Sequence, residues 1–232
     1  MRIWDINPGY LNRQSLLGEH RELHGIVSII RNNKKGYSRH PETLRWLGYG
    51  WALKQRHKFL VAEMNLRGYE DKSPVLLRSK PDVWPEDYID SPSSQILILQ
   101  RKYKNIEGGR IPLPKNAQQL WAQHKYSVMA RDTSAYNEIG KWVTSKSGSN
   151  ELSKVALEVT SLLRRSPDPK YLENTLLHMW GYVSNYVSSP SKVLDSHSFN
   201  SLLIKIQQLS LSNNVKYLTE STAISELGTW GI

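Results

Sequence analysis

Apolar positions recur at helical spacing almost from the start of the chain. Between Leu11 and Ile30, the residues Leu16, Leu23, Val27 and Ile30 fall on one side of a helical wheel. Asn7-Pro8 is a helix-start signal for this segment, because Pro is tolerated in a first turn. The run Asn32-Asn33-Lys34-Lys35-Gly36 closes it. His40-Pro41 opens another helical stretch, interrupted at Gly48-Tyr49-Gly50. A second long helix is predicted from Trp51 to Arg67, with Leu53, Leu60, Val61 and Met64 facing the core and Gly68 as its stop. Residues 70–90 are polar and contain Pro, and they read mostly as loop. Ser91-Pro92 starts a further helix through about Tyr103, built on Ile96, Leu97 and Leu99.

Gly108-Gly109-Arg110-Ile111-Pro112-Leu113-Pro114 is the best boundary candidate, since neither Gly nor Pro continues a helix well. It divides the chain into an expected domain over 1–110 and a second over 114–232. Beyond it, helices are predicted at about 115–131, 134–146, 151–165, 169–187 and 192–211. Ser147-Gly148-Ser149-Asn150, Ser166-Pro167-Asp168-Pro169 and Ser188-Ser189-Pro190-Ser191 separate most of them. No strand-like alternation competes and no internal repeat emerges. The predicted fold class is all-α, in two helical domains.

Composition narrows the chemistry. There is no Cys, which excludes disulfides, zinc-thiolate sites and iron–sulfur clusters. Eight Trp and twelve Tyr against two Phe give an aromatic set rich in hydrogen-bonding tips. No apolar run approaches the roughly 18 residues of a membrane span. The opening MRIWDINPGY reaches Asp5 and Pro8 before any apolar run, which is not the pattern of a signal peptide. A soluble intracellular protein is expected. Net charge is +10 and uneven: residues 1–113 carry 19 Lys/Arg against 12 Asp/Glu, the remainder 12 against 9. A basic N-terminal half suggests a polyanionic partner, most commonly nucleic acid; a solvated basic surface is the alternative.

The densest cluster of reactive groups is Glu19-His20-Arg21-Glu22-Leu23-His24. On a helix, Ser15, Glu19, Glu22 and Ile26 share a face, with Arg21 on the adjacent flank. Two carboxylates and an Arg beside the core stripe could form an acid–base and phosphate-binding site. On the residues alone, an ordinary charged helix face is the favoured reading.

Met1-Arg2-Ile3 followed by Leu16-Leu17-Gly18-Glu19-His20-Arg21-Glu22-Leu23 resembles the pyrimidine-dimer DNA glycosylase (phage endonuclease V-like) family. The likeness continues through Arg56-His57-Lys58-Phe59-Leu60-Val61-Ala62-Glu63 and Leu66-Arg67-Gly68-Tyr69. It reappears in Asp87-Tyr88-Ile89-Asp90 and Ser94-Gln95-Ile96-Leu97, so that it spans most of residues 1–104 in order. The resemblance implies a small helical, cofactor-free enzyme acting on double-stranded DNA with damaged pyrimidines. Such an enzyme cleaves the glycosidic bond of the 5′ pyrimidine of a cyclobutane dimer, then nicks the abasic site by β-elimination through an imine on the N-terminal amine. Carried over position by position, the catalytic groups are the amine of Met1 and the carboxylate of Glu22, and the DNA-binding groups are Arg2 and Arg21. A cytoplasmic, nucleoid-associated protein follows. An abasic-site lyase for another lesion and a non-catalytic DNA-binding protein are the alternatives.

The chemistry suits an α-amine, whose ordinary pKa of about 7.7–8.0 leaves a useful neutral fraction at physiological pH. Arg2 and Arg21 favour the neutral nucleophile and Glu22 opposes it. Large Arg2 disfavours removal of Met1, and the ungapped match sets Met1 where the phage enzyme has its processed first residue. Ser15 and Gly25 depart from the pattern, standing where the phage enzyme has a His and a further Arg.

Residues of about 117–187 resemble a YbgA-like helical domain of unknown function, through His124-Lys125-Tyr126, Tyr136-Asn137-Glu138-Ile139-Gly140 and Asn174-Thr175-Leu176-Leu177-His178-Met179-Trp180-Gly181-Tyr182. Asn174, His178, Gly181 and Tyr182 share a helical face, read most simply as a satisfied polar cluster between helices. No catalysis is assigned there.

Overall fold

The computed structural model describes residues 1–145, 151–191, 194 and 198–231. Eleven α-helices and no strand occur among the described residues. The chain divides into two compact units, Met1–Gly109 and Arg110–Ile232. The predicted linker Ser147–Asn150 and the start of the helix predicted from about 192 lie outside the described residues.

The first unit contains α1 (Arg13–Asn32), α2 (Pro41–Trp46), α3 (Gly50–Leu66) and α4 (Pro92–Lys102). Asn7-Pro8 does not open α1. It opens a single 3-10 turn, Pro8–Tyr10, after which Leu11 returns to extended backbone. Asn12 is the true cap, its side chain accepting from the Ser15 amide. Two Asn start signals lie five residues apart, and the buried Leu11 decides between them. At the other end, Asn33 takes the left-handed conformation (φ 49°) that ends a helix. α1 buries Leu16, Leu23 and Ile26 together with Ser15 and Glu19.

α3 is buried nearly all round, including Gln55, Arg56, His57 and Glu63. Buried ionisable groups need partners. Arg56 finds Glu19, and Glu63 holds Arg67, whose guanidinium also donates to the Leu11 carbonyl at 2.8 Å. The segment between α3 and α4 is irregular, as predicted, yet well anchored. Val75 is buried, and the Trp51 amide donates to Ser79 Oγ at 2.9 Å. Gly50 permits this close passage: a Cβ there would stand 2.9 Å from the Leu77 Cβ.

The second unit contains α5 (Ala117–Met129), α6 (Thr133–Thr144), α7 (Leu152–Leu163), α8 (Pro169–Gly181), α9 (Phe199–Ser212), α10 (Lys216–Thr219) and α11 (Ala223–Glu226). α5 is its axis and packs against α6, α7, α8 and α11. The helix predicted to reach about residue 187 ends at Gly181 and gives way to a 3-10 turn, Ser184–Tyr186. The predictions also stopped short of α10 and α11. These are four-residue turns, too brief to show a periodicity, but Leu218, Ala223, Ile224 and Leu227 are buried there.

Candidate active site at the N-terminus

Residues Arg2 to Ile6 run toward the 3-10 turn with no strand partner, so their backbone N–H groups need other acceptors. Side chains from three helices supply them. The Arg2 amide donates to Glu22 Oε2 at 2.5 Å, and the Trp4 amide to Glu19 Oε1 at 3.1 Å, both carboxylates on α1. The Ile3 amide bonds to Glu42 on α2. The Asp5 and Ile6 amides share Gln95 Oε1 on α4, at 2.8 and 3.4 Å. Gln95 in turn donates to Asp5 Oδ2 and to the Asp90 carbonyl, each at 2.8 Å. Ile3, Trp4 and Ile6 are buried beneath this lattice of bonds. Met1 is thus the half-buried end of a segment fixed at every following residue.

Glu19 and Glu22 share a helix face, as the spacing predicts, but they do different things. Glu19 is fully buried and clamped by Arg56, with Nε–Oε1 and Nη2–Oε2 both 2.8 Å. Burial pushes its carboxyl up and the Arg56 guanidinium opposes that. Arg56 also donates to the Ile6 carbonyl at 2.7 Å, so this pair is a buried anchor for the N-terminal segment. Glu22 is only half-buried, and its carboxylate lies one residue from the amine. Arg2 turns its side chain to Asp90 (2.8 Å) and over the Trp4 ring, 4.8 Å from the centroid. Arg21 is exposed and forms no ion pair with any described residue. Ser15 is buried and accepts from Lys102 Nζ at 2.9 Å. Gly25 has open space where a Cβ would stand.

His57, quoted above only within the run that carries the resemblance, and Asp71 were given no site role by the sequence. His20 and His24, one turn apart on α1, converge with His57 of α3 and Asp71 of the following segment. Burial pushes the His57 imidazole down to about 4, against the pull of Asp71. Burial and then His20 lower His24 as well. Burial raises the Asp71 carboxyl, but hydrogen bonds from Ser73, followed by His57 and His20, outweigh it and hold it below the ordinary carboxylate value. The His20/His24 spacing was the available signal. The other two members are contributed by the tertiary fold, 33 to 37 residues away in the case of His57.

The second unit buries an ion pair and a histidine. Arg131 and Glu226 form a bidentate buried pair at 2.9 and 2.7 Å. Arg131 also donates to the carbonyls of Ser127 (2.7 Å) and Arg165 (2.6 Å), and Trp230 Nε1 donates to Glu226 (3.3 Å). Burial lowers the His124 imidazole to about 4. The face of Asn174, His178, Gly181 and Tyr182 is exposed, which corrects the reading of a polar cluster between helices. Gly181 meets no close neighbour either.

The first unit is therefore an all-helical scaffold that holds an amine-bearing chain end beside a carboxylate on its longest helix. Residues 1–77 match the family described as pyrimidine dimer DNA glycosylase. Residues 125–223 match a family described as a protein of unknown function (DUF1722). The first match ends before Asp90 and Gln95, two residues that hold the N-terminal segment. The second continues past the predicted limit near residue 187, takes in α9 and α10, and ends at the first residue of α11. No curated protein and no solved structure matches the chain. No helix is long and apolar enough to cross a membrane among the described residues.

Proposed function

We propose that the first unit excises damaged pyrimidines from double-stranded DNA and cleaves the resulting abasic site, with the α-amine of Met1 as nucleophile. The observation that carries this reading is the Glu22 carboxylate on the Arg2 amide at 2.5 Å. Consecutive Cα atoms are about 3.8 Å apart, so a group bonded to the second amide stands beside the first residue's amine. The amine attacks the sugar C1′, a C–N bond forms, and the glycosidic C–N bond breaks with protonation of the departing base. Glu22 stabilises the cationic sugar and relays protons as the ring opens to an imine. Loss of the C2′ proton then expels the 3′ phosphate, and water releases the product.

Arg21, exposed one position from Glu22, is placed to meet a phosphate. Arg2 acts beside the amine, its guanidinium exchanging Asp90 for DNA. Lesion choice follows from extrusion of a poorly stacked nucleotide, which costs less to open than an intact pair.

Borohydride trapping tests the assignment, because reduction fixes an imine as a permanent cross-link. Native, N-terminally acetylated and one-residue-extended protein are compared on irradiated and abasic duplexes. Acetylation removes the lone pair, and an added residue displaces the amine by up to about 3.6 Å. Cross-linking is expected only for the native form. Undiminished cross-linking of both modified forms would assign the nucleophile to a lysine. Nicking of abasic but not irradiated duplex would make the protein a lyase for another lesion, and no cross-link in any form would leave only a DNA-binding protein.

A further inference from the structure

The chemistry proposed above makes no use of the three histidines beneath it. Nε2 of His57 stands 3.1 Å from Nε2 of His24 and 3.3 Å from Nε2 of His20. The Asp71 carboxylate adds Oδ1 at 3.1 Å from His20 Nε2 and Oδ2 at 3.4 Å from His57 Nε2. One ligating atom from each of the four residues lies within 4.8 Å of all the others.

Hydrogen bonding accounts for only part of this convergence: Ser73 Oγ, 3.1 Å from His24 Nε2, can accept from that ring, but His57 Nε2 has three competing neighbours. The Nε2 of a neutral imidazole carries either one proton or one lone pair. His57 Nε2 faces two imidazole nitrogens and a carboxylate, and a single proton serves one of the three. Without that proton, its lone pair points at the Asp71 anion. The three contacts at His57 Nε2 cannot all be satisfied as hydrogen bonds.

We infer that His20, His24, His57 and Asp71 form a mononuclear site for a divalent transition-metal ion of the zinc type. Bonds of about 2.0–2.2 Å at tetrahedral angles set neighbouring ligand atoms about 3.3–3.5 Å apart. The four contacts above, which use both Asp71 oxygens, span 3.1 to 3.4 Å, and the remaining pairs lie within 4.8 Å. A set of three imidazoles and one carboxylate suits zinc and its neighbours, whereas magnesium and calcium favour all-oxygen shells. The donors need no deformation of the backbone to gather, since His20 and His24 lie at i and i+4 on α1. Asp71 is held in turn by Ser73, whose amide donates to Oδ1 at 3.2 Å and whose hydroxyl donates to the same oxygen. Such a bond orients a ligating carboxylate.

Four protein ligands close the shell, which is the mark of a structural ion rather than one that activates water. The ion ties the segment after α3 to α1 and α3. It touches no reacting atom, and its role is to fix the helix that carries Glu19 and Glu22. The inference stands whether or not Met1 is the nucleophile.

The test uses the full chain without a histidine tag. Metal content is measured as purified, and after chelation the protein is titrated with Zn²⁺ and with Co²⁺. One Zn²⁺ per chain is expected, with a raised melting temperature and, for Co²⁺, the intense visible bands of four-coordinate geometry. His24→Gln and Asp71→Asn should each weaken binding at least about 10- to 100-fold, the loss typical of removing even a supporting group. Glu22→Gln should bind Zn²⁺ normally. No stoichiometric uptake by the native protein, or the weak bands of six-coordinate Co²⁺, would overturn the site without recourse to any variant. So would undiminished uptake by both ligand variants.

Discussion

In the first unit Arg56 grips Glu19 deep in the core, and in the second Arg131 grips Glu226 in the same bidentate way. The chemistry of the two pairs is alike and their surroundings are not. Around Glu226 the remaining capacity goes to Trp230 and, through Arg131, to carbonyls that close the unit on itself. Around Glu19 it goes to Trp4 and, through Arg56, to Ile6, both in the segment that ends at Met1. One pair stabilises a fold and the other also positions a chain end. A buried ion pair is weak evidence of function by itself; what it holds in place is what separates the two units.

The widest separation should come from Glu22→Gln. Glutamine keeps an oxygen for the Arg2 amide and removes the charge and most of the proton relay. General acid–base groups contribute about 10²–10⁴-fold, and a loss of that size in excision is expected while damaged DNA still binds. Single-turnover excision and a binding isotherm on the same duplex check this. Near-normal turnover in a folded variant removes Glu22 from the chemistry and makes the first unit resemble the second.

Next come the two buried pairs. Glu19→Gln and Glu226→Gln each leave an uncompensated buried arginine, at a cost of about 3–5 kcal/mol. Hydrogen exchange should show α3 opening in the first variant and α5 in the second. Only Glu19→Gln should also lower imine trapping, because it loosens the Arg56 clamp that anchors the segment ending at Met1 through Trp4 and Ile6. Replacing both members, as Glu19→Leu with Arg56→Met, should recover much of the stability without recovering the trapping. Equal trapping in the Glu19 and Glu226 variants would remove the distinction drawn between the pairs.

Acid should sharpen the comparison from the other side. His124 ionises at 6.5 in an unfolded chain and at about 4 in the folded unit, where burial disfavours its charge. Between those values the unfolded state binds more protons, so the stability of the second unit falls as pH drops from 6.5 toward 4. The loss is on the order of 3 kcal/mol at completion. Urea unfolding read on α5 should show this slope, and His124→Asn should flatten it. An unchanged slope in the variant would assign the acid sensitivity to other groups.

Much of this was legible in the sequence because it is local. Helix periodicity gave α1, α3 and α4 within a few residues, and the i, i+3 spacing put Glu19 and Glu22 on one face. What the spacing could not say is that Arg56 claims Glu19 from 37 residues away, leaving Glu22 for the N-terminus. Arg56 itself lies in a quoted motif, yet nothing local distinguishes a buried arginine from a phosphate-binding one. His57 and Asp71 were overlooked for the same reason: their significance depends on a crossing of α1 and α3. The short buried turns after α9 carry no period to detect. They are defined by what α5 needs covered.

The smallest effect concerns Gly25, one turn beyond Arg21 on α1. Glycine inside a helix costs about 0.5–1 kcal/mol relative to alanine. A Cβ at Gly25 would meet no atom within 4 Å, so no packing need explains the glycine. Gly25→Ala should therefore stabilise the first unit by roughly that 0.5–1 kcal/mol and leave DNA affinity unchanged. Gly25→Arg should give a similar gain in helix stability and place a second guanidinium at i+4 from Arg21. If this face meets DNA, the added charge neutralises one more phosphate. The slope of log affinity against log salt should then steepen by about 1, and Arg21→Ala should make it shallower by the same amount. Fluorescence anisotropy on an undamaged duplex across a salt series measures all three variants. An Arg variant indistinguishable from the Ala variant would show that the exposed flank of α1 faces solvent in the complex. That flank would then be no more specialised than the exposed face of α8 in the second unit.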